Sequence, residues 1–393
     1  MNSTLKNGLA DCLPVDAAQA CLLGRIWVPG VGPVVVTVSE GQLLDASPLA
    51  LTCSELLAQP DPAGRVRNAL QSGSLHAIAA LDVVLSNSVE GTRDTTLPWL
   101  LAPCDLQTIK ASGVTFVASL LERVIEEQAR GDAARARVLR DELLQILGQD
   151  LSGITPGSAE AQRVKEVLVA RGAWSQYLEV GIGPDAEIFT KAPVLSAVGS
   201  GANVGVLRAS QWNNPEPEVV LVVNPQAQVV GATLGNDVNL RDLEGRSALL
   251  LGRAKDNNAS CAIGPFIRLF DDAFGLHDVH QSTIGLQVQG TDGYAFEGQG
   301  AMSGISRGLQ DLVGHAMGAH HQYPDGMVLF LGTMLVPTED RIAPGQGFTH
   351  RVDDVVTVSS ARLGRLVNRV DYSDAVAPWT FGVAALMNNL RQR

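Results

Sequence analysis

Cysteine is scarce in this 393-residue chain and forms no pattern. The five cysteines, Cys12, Cys21, Cys53, Cys104 and Cys261, are odd in number and include no C-x-x-C pair. That spacing argues against a disulfide framework or a thiolate metal site, and a reducing compartment, the cytoplasm, is the expectation. Basic charge is also in deficit: 29 Lys and Arg stand against 41 Asp and Glu, for a net charge of −12. Nucleic acid and anionic membranes both need a basic patch, so neither is an expected partner. Long apolar runs are missing as well. No stretch approaches the roughly 18 residues of a membrane-spanning helix. Residues 1–19 show no basic start followed by an apolar run, so no signal peptide is expected.

What is plentiful is glycine and proline, forty and nineteen residues respectively, which imply many turns and a β-rich α+β body. The length suits two domains or one large one with an extension. Residues 1–97 read as a small α+β unit. "GRIWVPGVGPVVVTVSEGQLLDAS" gives two or three strands, and "SELLAQPDPAGRVRNALQSG" gives short helices broken by proline. Residues 98–180 read as a helical or lid segment. There "ASLLERVIEEQARGDAARARVLRDELLQILGQDL" has apolar residues at spacings of three and four, as in an amphipathic helical pair. Residues 181–393 turn β-rich again. "EVVLVV", "QVVGATL", "TIGLQVQG", "YAFEGQ", "MVLFLGT" and "DDVVTVSS" predict strands of a folded-over, barrel-like sheet system.

One hairpin in this last part carries charge where burial is expected. Side chains alternate along a strand, so Glu216 and Glu218 share a face. A turn centred near Gln226 then sets Glu216 opposite a residue near 236, which brings Asp237 beside both glutamates. Three oxygen-only ligands without His or Cys would select a hard ion such as Mg²⁺, Mn²⁺ or Ca²⁺. A solvated acidic hairpin end is the alternative. Lys255 follows a predicted helix, "LRDLEGRSALLLGRAK". Near a cation it could lose its proton and serve as a base, or it could be an ordinary solvated lysine. Two other motifs are read as structural. The histidines of "HAMGAHH", His315, His320 and His321, lack the i, i+4 spacing of a metal pair. "GSGANVG" lacks the Lys-Ser/Thr ending of a phosphate loop and reads as turns between strands.

The order E-x-E, N-D-V-x-x-R-D, A-K-D, I-G-P-F resembles the fumarylacetoacetate hydrolase superfamily over roughly 183–370. The likeness includes "EIFTKAP", "GTMLVP" and "DDVVTVSSARLGRLVN". It implies a mixed β-roll in a homodimer or homotetramer. It also implies Mg²⁺, with Mn²⁺ as the other choice, held by Glu216, Glu218 and Asp237, and Lys255 in the place of the family's catalytic lysine. The carbon–carbon hydrolases of that superfamily carry a histidine ahead of the roll to activate water. None of the seven histidines here falls in "APCDLQTIKASGVTFVASLLERVIEEQ". That stretch instead resembles the A-x-G-V-T-F/Y segment of the 2-keto-3-deoxypentonate dehydratases, of the 2-keto-3-deoxy-D-arabinonate type.

The resemblance therefore implies a dehydratase, a lyase of pentose catabolism. It would convert a 2-keto-3-deoxy sugar acid to 2-oxoglutarate semialdehyde, with a small-molecule 2-keto acid as its partner. Lys255 would take a carbon-3 proton and Glu187 would assist proton transfer. Thr333 would meet the substrate carboxylate, Ser112 and Thr115 would meet sugar hydroxyls from a lid, and Lys191 would line the site. An acylpyruvate hydrolase on the same metal, and a non-enzymatic metal-binding protein, are the alternatives.

Overall fold

The computed structural model describes residues 2–116, 154–170, 174–343 and 346–393, with positions 120, 124, 125, 128, 129, 132 and 135. The helical pair expected over 118–151 falls almost wholly outside the described residues. No helix among those described is long and apolar enough to cross a membrane.

The first half contributes β1 (Leu22–Val28), β2 (Gly32–Ser39), β3 (Gln42–Asp45), β4 (Ala77–Ala80), β5 (Trp99–Leu100) and β6 (Thr108–Gly113). Then come β7 (Glu187–Ala192), β8 (Asn203–Val206), β9 (Asn213–Asn214), β10 (Pro217–Val223), β11 (Val229–Asp237) and β12 (Asn239–Leu240). The last are β13 (Cys261–Leu269), β14 (Thr283–Gln289), β15 (Ala295–Ala301), β16 (Met327–Phe330), β17 (Val355–Ser360) and β18 (Gly364–Tyr372). All six strands expected after residue 181 are present. β6 corrects the expectation of a helical segment starting at 98. Its backbone is drawn into the sheet by pairing with β16 and β7.

The main sheet runs β4-β3-β2-β1-β13-β11-β10-β16-β6-β7, with β5 beside β1. It crosses the boundary expected at residue 97, because β1 pairs with β13. A second sheet, β15-β14-β17-β18-β8, packs on one face. Among the described strands the sheets stay open, which corrects the barrel-like expectation to a mixed β-roll.

β10 explains how the core is organised. It lies between two sheet neighbours and is buried on both faces. Val219, Leu221 and Val223 enter the core shared with the second sheet, alongside Leu286, Val288, Val356 and Val358. Val220 and Val222 point the other way, into a core shared with Cys53, Leu56, Ala63 and Val66 of the N-terminal helices. Each such apolar side chain stabilises the fold by about 1.5–3 kcal/mol. Glu216 and Glu218 lie on the second face, continued past the end of its apolar run.

A buried polar cluster ties the loop before β17 to that sheet. Asp354 is fully buried and accepts from Arg341 Nη1 at 2.5 Å and Nη2 at 2.6 Å. His350 Nδ1 lies 3.2 Å from the same carboxylate. Burial pushes the His350 imidazole below its ordinary range, against the opposing pull of Asp354. Burial alone would raise the Asp354 carboxyl, but hydrogen bonds from Arg341 and His350 outweigh it and hold that group low. Below about pH 6.5 the unfolded chain therefore binds more protons than the folded one, and stability falls as pH drops. Urea midpoints between about pH 8 and 5 should decline toward acid in the wild type and decline less in His350→Gln. Parallel curves would take the imidazole out of the account. Asp354→Asn should cost about 3–5 kcal/mol at neutral pH, because it leaves a buried guanidinium poorly paired.

Candidate metal centre and active site

The hairpin β10–β11 turns through Asn224–Gln228, and Val223 pairs with Val229 beyond it. Pro217 pairs with Asn236 and Glu218 with Gly235, and Asp237 N–H donates to the Glu216 carbonyl at 3.0 Å. This register puts Asp237 beside Glu216, as the alternation argument expects. One carboxylate oxygen from each of Glu216, Glu218 and Asp237 lies within 4.8 Å of the others, and all three residues are buried. At about 4–5 Å each ionised pair repels by on the order of 3–4 kcal/mol at an effective dielectric of 20. Three such pairs rival the whole stability of a domain, so positive charge must reach this spot.

Two lysines supply some of it. Lys255 ends the helix Leu251–Lys255 and is nearly fully buried. Its Nζ lies 2.5 Å from Glu216 Oε2 and 3.1 Å from Asp237 Oδ2. Lys191 Nζ lies 2.9 Å from Asp237 Oδ1 and donates to the Lys255 carbonyl. Ser260 Oγ donates to that carbonyl too, at 2.8 Å. Two ammonium groups against three carboxylates leave one net negative charge. Glu218 carries the imbalance: burial first, then Asp237 and Glu216, push its carboxyl well above the ordinary range. Gly332 N–H opposes this, donating to Glu218 Oε2 at 2.6 Å from a left-handed backbone at φ +89° that favours glycine. An all-oxygen donor set, buried and short of positive charge, fits a hard divalent ion.

The cavity at this centre has a volume of about 20 Å³, room for roughly one water-sized guest. Its walls come from β6, β7, the Glu216–Asp237 hairpin, the helix Arg241–Glu244 and the Gly332 turn. A larger cavity of about 830 Å³ lies elsewhere, beside Trp212, Arg246 and His350. There His350 Nδ1 meets Asp354, Asp242 accepts from Ser210 Oγ and Gln211 N–H, and Arg246 and Arg253 line the same wall as Asp132 and Asp242, so acids and bases are balanced in number instead of acids gathering alone.

The other expected residues divide. Glu187 and Thr333 line the cavity, and so does Ser112, whose buried Oγ has no hydrogen-bond partner among the described residues. Thr333 Oγ1 donates to the carbonyls of Pro217 and Leu335, at 3.2 and 2.9 Å. Thr115 is a correction: its Oγ1 donates to the Leu331 carbonyl at 2.5 Å, and it braces the Gly332 turn rather than facing the cavity. Lys191 is another, since it is fully buried behind Asp237 instead of lining the site. Ser112 sits in β6, part of the main sheet and not a lid. The predicted helix before Lys255 is broken into Arg241–Glu244, a short 3-10 turn Ala248–Leu250 and Leu251–Lys255. Ser247 caps the turn by accepting from Leu249 N–H.

The break matters because it brings Glu244, a buried carboxylate the sequence reading missed, to the cavity wall. It stands two residues past the quoted N-D-V-x-x-R-D run, and that proximity was the available signal. Phe189, also missed, shares the face of β7 with Glu187 and Lys191, and its ring centroid lies 5.8 Å from Lys255 Nζ. Strand alternation from Glu187 would have found it.

No family model matches the chain. It is 29% identical over 219 residues to a Haloferax volcanii protein described as "Probable 2-keto-3-deoxyxylonate dehydratase", covering 56% of this chain and 70% of the relative. It is 29% identical over 184 residues to a 2-dehydro-3-deoxy-D-arabinonate dehydratase of Saccharolobus solfataricus, covering 47% of this chain and 58% of the relative. It therefore spans little more than half the length of the second relative. A solved 2-keto-3-deoxy-D-arabinonate dehydratase complexed with magnesium and 2,5-dioxopentanoate superposes with a TM-score of 0.60 at 19% identity, over 89% of this chain and 99% of that one. A fumarylacetoacetate hydrolase from Exiguobacterium antarcticum gives 0.53 at 16% identity, over 90% of this chain and 100% of that one. The chain thus shares its fold with a 2-keto-3-deoxy-D-arabinonate dehydratase and a fumarylacetoacetate hydrolase, and its two sequence relatives are described as dehydratases of 2-keto-3-deoxy sugar acids, the first of them as probable.

Proposed function

We propose that the protein is a Mg²⁺-dependent dehydratase that removes water from a 2-keto-3-deoxypentonate to give 2-oxoglutarate semialdehyde. The observation that carries this reading is the buried Glu216–Glu218–Asp237 group with Lys255 Nζ inserted among its oxygens. The sequence relatives, and the neighbouring structure with magnesium and 2,5-dioxopentanoate, support the same chemistry.

A divalent ion held by Glu216, Glu218 and Asp237 would polarise the 2-oxo group and acidify the hydrogens on carbon 3. Lys255 shares Glu216 and Asp237 with that centre, so neutralising those carboxylates favours its uncharged, proton-accepting form. Lys255 Nζ then takes a carbon-3 proton. The electron pair forms the bond between carbons 3 and 4 as the carbon-4 hydroxyl leaves. Glu187, across the cavity, gives that hydroxyl a proton and releases it as water. Tautomerisation through carbon 5 yields the aldehyde. Ser112 and Thr333 line the same cavity, and in this reading Ser112 meets a sugar hydroxyl and the Thr333 turn meets the substrate carboxylate. Lys191 fixes Asp237 and the end of the Lys255 helix. No histidine is among the described residues lining the cavity, which disfavours the hydrolase alternative with its water-activating imidazole.

In this reading residues 1–97 cover the sheet face that ends in the carboxylates. Residues 98–180 supply the Ser112–Val114 wall, and 181–393 supply the rest. The buried, unpaired thiols and the absence of a membrane-crossing helix among the described residues accord with a cytoplasmic enzyme, and we place it there as a homodimer or homotetramer.

Mg²⁺ should raise the unfolding midpoint of the metal-stripped wild type. At about a hundred times Kd the gain is about 2.7 kcal/mol. Glu216→Gln, Glu218→Gln and Asp237→Asn should each abolish both that gain and turnover. A variant that still responds to Mg²⁺ like the wild type would remove its ligand from the set.

Lys255→Met should lower turnover by about 10²–10⁴-fold and stop exchange of carbon-3 hydrogen with deuterated solvent, while Mg²⁺ still stabilises the protein. With 2-keto-3-deoxypentonates the wild type should release the semialdehyde. Release of pyruvate from an acylpyruvate, with no semialdehyde from any keto-deoxy acid, would replace this reading with the hydrolase.

A further inference from the structure

β6 and β7 pair antiparallel with Gly113 opposite Glu187. A Cβ built on Gly113 would come 1.9 Å from Glu187 Oε2 and 2.6 Å from its Cδ. Both distances are far inside van der Waals contact, so the Glu187 side chain lies flat across the Cα of Gly113. Gly113 is not among the positive-φ residues, so its backbone makes no demand for glycine. What keeps a side chain out of position 113 is the carboxylate itself.

The chain leading into β7 is meanwhile held from the other side. Arg307, buried, donates from Nη2 to the carbonyls of Val180, Gly183 and Asp185, at 3.0, 2.7 and 3.2 Å. Asp185 stands two residues before Glu187. The strand therefore has little freedom to retreat, and the flexible carboxylate is what would give way to an added methyl.

We propose that Gly113 is a positioning residue: the missing Cβ is the seat that keeps the Glu187 carboxylate in the cavity wall. This rests on reading Glu187 as the proton donor. Gly113→Ala should lower kcat by about the same factor as Glu187→Gln, within about 10²–10⁴-fold. KM, Mg²⁺-induced stabilisation and Lys255-dependent carbon-3 exchange should persist in both. The double variant should lose no more than the worse single one, since both act on one group. A crystal structure of Gly113→Ala should show the carboxylate moved off residue 113.

A carboxylate still lying against the new methyl would overturn the seat, as would wild-type kcat in Gly113→Ala beside an impaired Glu187→Gln. Full kcat in Glu187→Gln would remove the donor role, and with it the kinetic role of Gly113. Were Gly113→Ala unstable, adding Glu187→Gly should restore its midpoint by deleting the colliding atoms. Instability that persisted would also refute the seat.

Discussion

Glu216, Glu218 and Asp237 cannot all stay ionised at a dry sheet end unless positive charge is delivered to the same place, and much of the surrounding structure delivers it. Lys255 arrives on a short helix whose terminal carbonyl is held by Lys191 and Ser260. Lys191 arrives on β7, fully buried, an arrangement tolerable because Asp237 and the Lys255 carbonyl both meet it there. Against the three carboxylates alone the two cations stop one charge short of neutrality, and Glu187 and Glu244 add further acid to the same wall. That shortfall distinguishes a centre able to take up a divalent ion from a self-contained salt-bridge network.

The parity of the strands does the rest. Counting by twos along β6, β7, β10 and β11 puts Gly113, Glu187, Glu218 and Asp237 on the face whose apolar part includes Ala111, Phe189, Val220 and Val222. The same alternation that fills the core under the N-terminal helices, carried past the end of the apolar run, produces the polar site. No separate loop had to be built for the carboxylates, and their geometry inherits the rigidity of the central strands.

This is why the hairpin was legible. Glu216, Glu218 and Asp237 obey a two-residue period and a short turn, both of which are local, and the structure returned that register. Lys191 was legible as a residue but not as a position. The alternation of β7 places it with Glu187, yet nothing local says that β7 ends behind Asp237. Thr115 misled for a related reason, since its hydroxyl is claimed by Leu331, a residue more than two hundred positions away. Glu244 was hidden by a helix that the apolar spacing joined and Ser247 breaks. The open form of the sheets, too, depends on which strands sit at the edges, and periodicity is silent about that.

The pairing of β16 with β6 has a consequence for how the molecule assembles. This parallel pair joins Met327 to Thr108 and Phe330 to Ala111, across more than two hundred residues of chain. The β10–β11 hairpin can form early, because its loop is short. The wall that carries Ser112, Gly113 and the bracing Thr115 is fixed only once β16 has been made and has found β6. Closing a loop of that length costs chain entropy before any contact between the two strands offsets it. The three carboxylates thus come from one local hairpin, whereas the cavity wall beside them depends on a contact between the two halves of the chain.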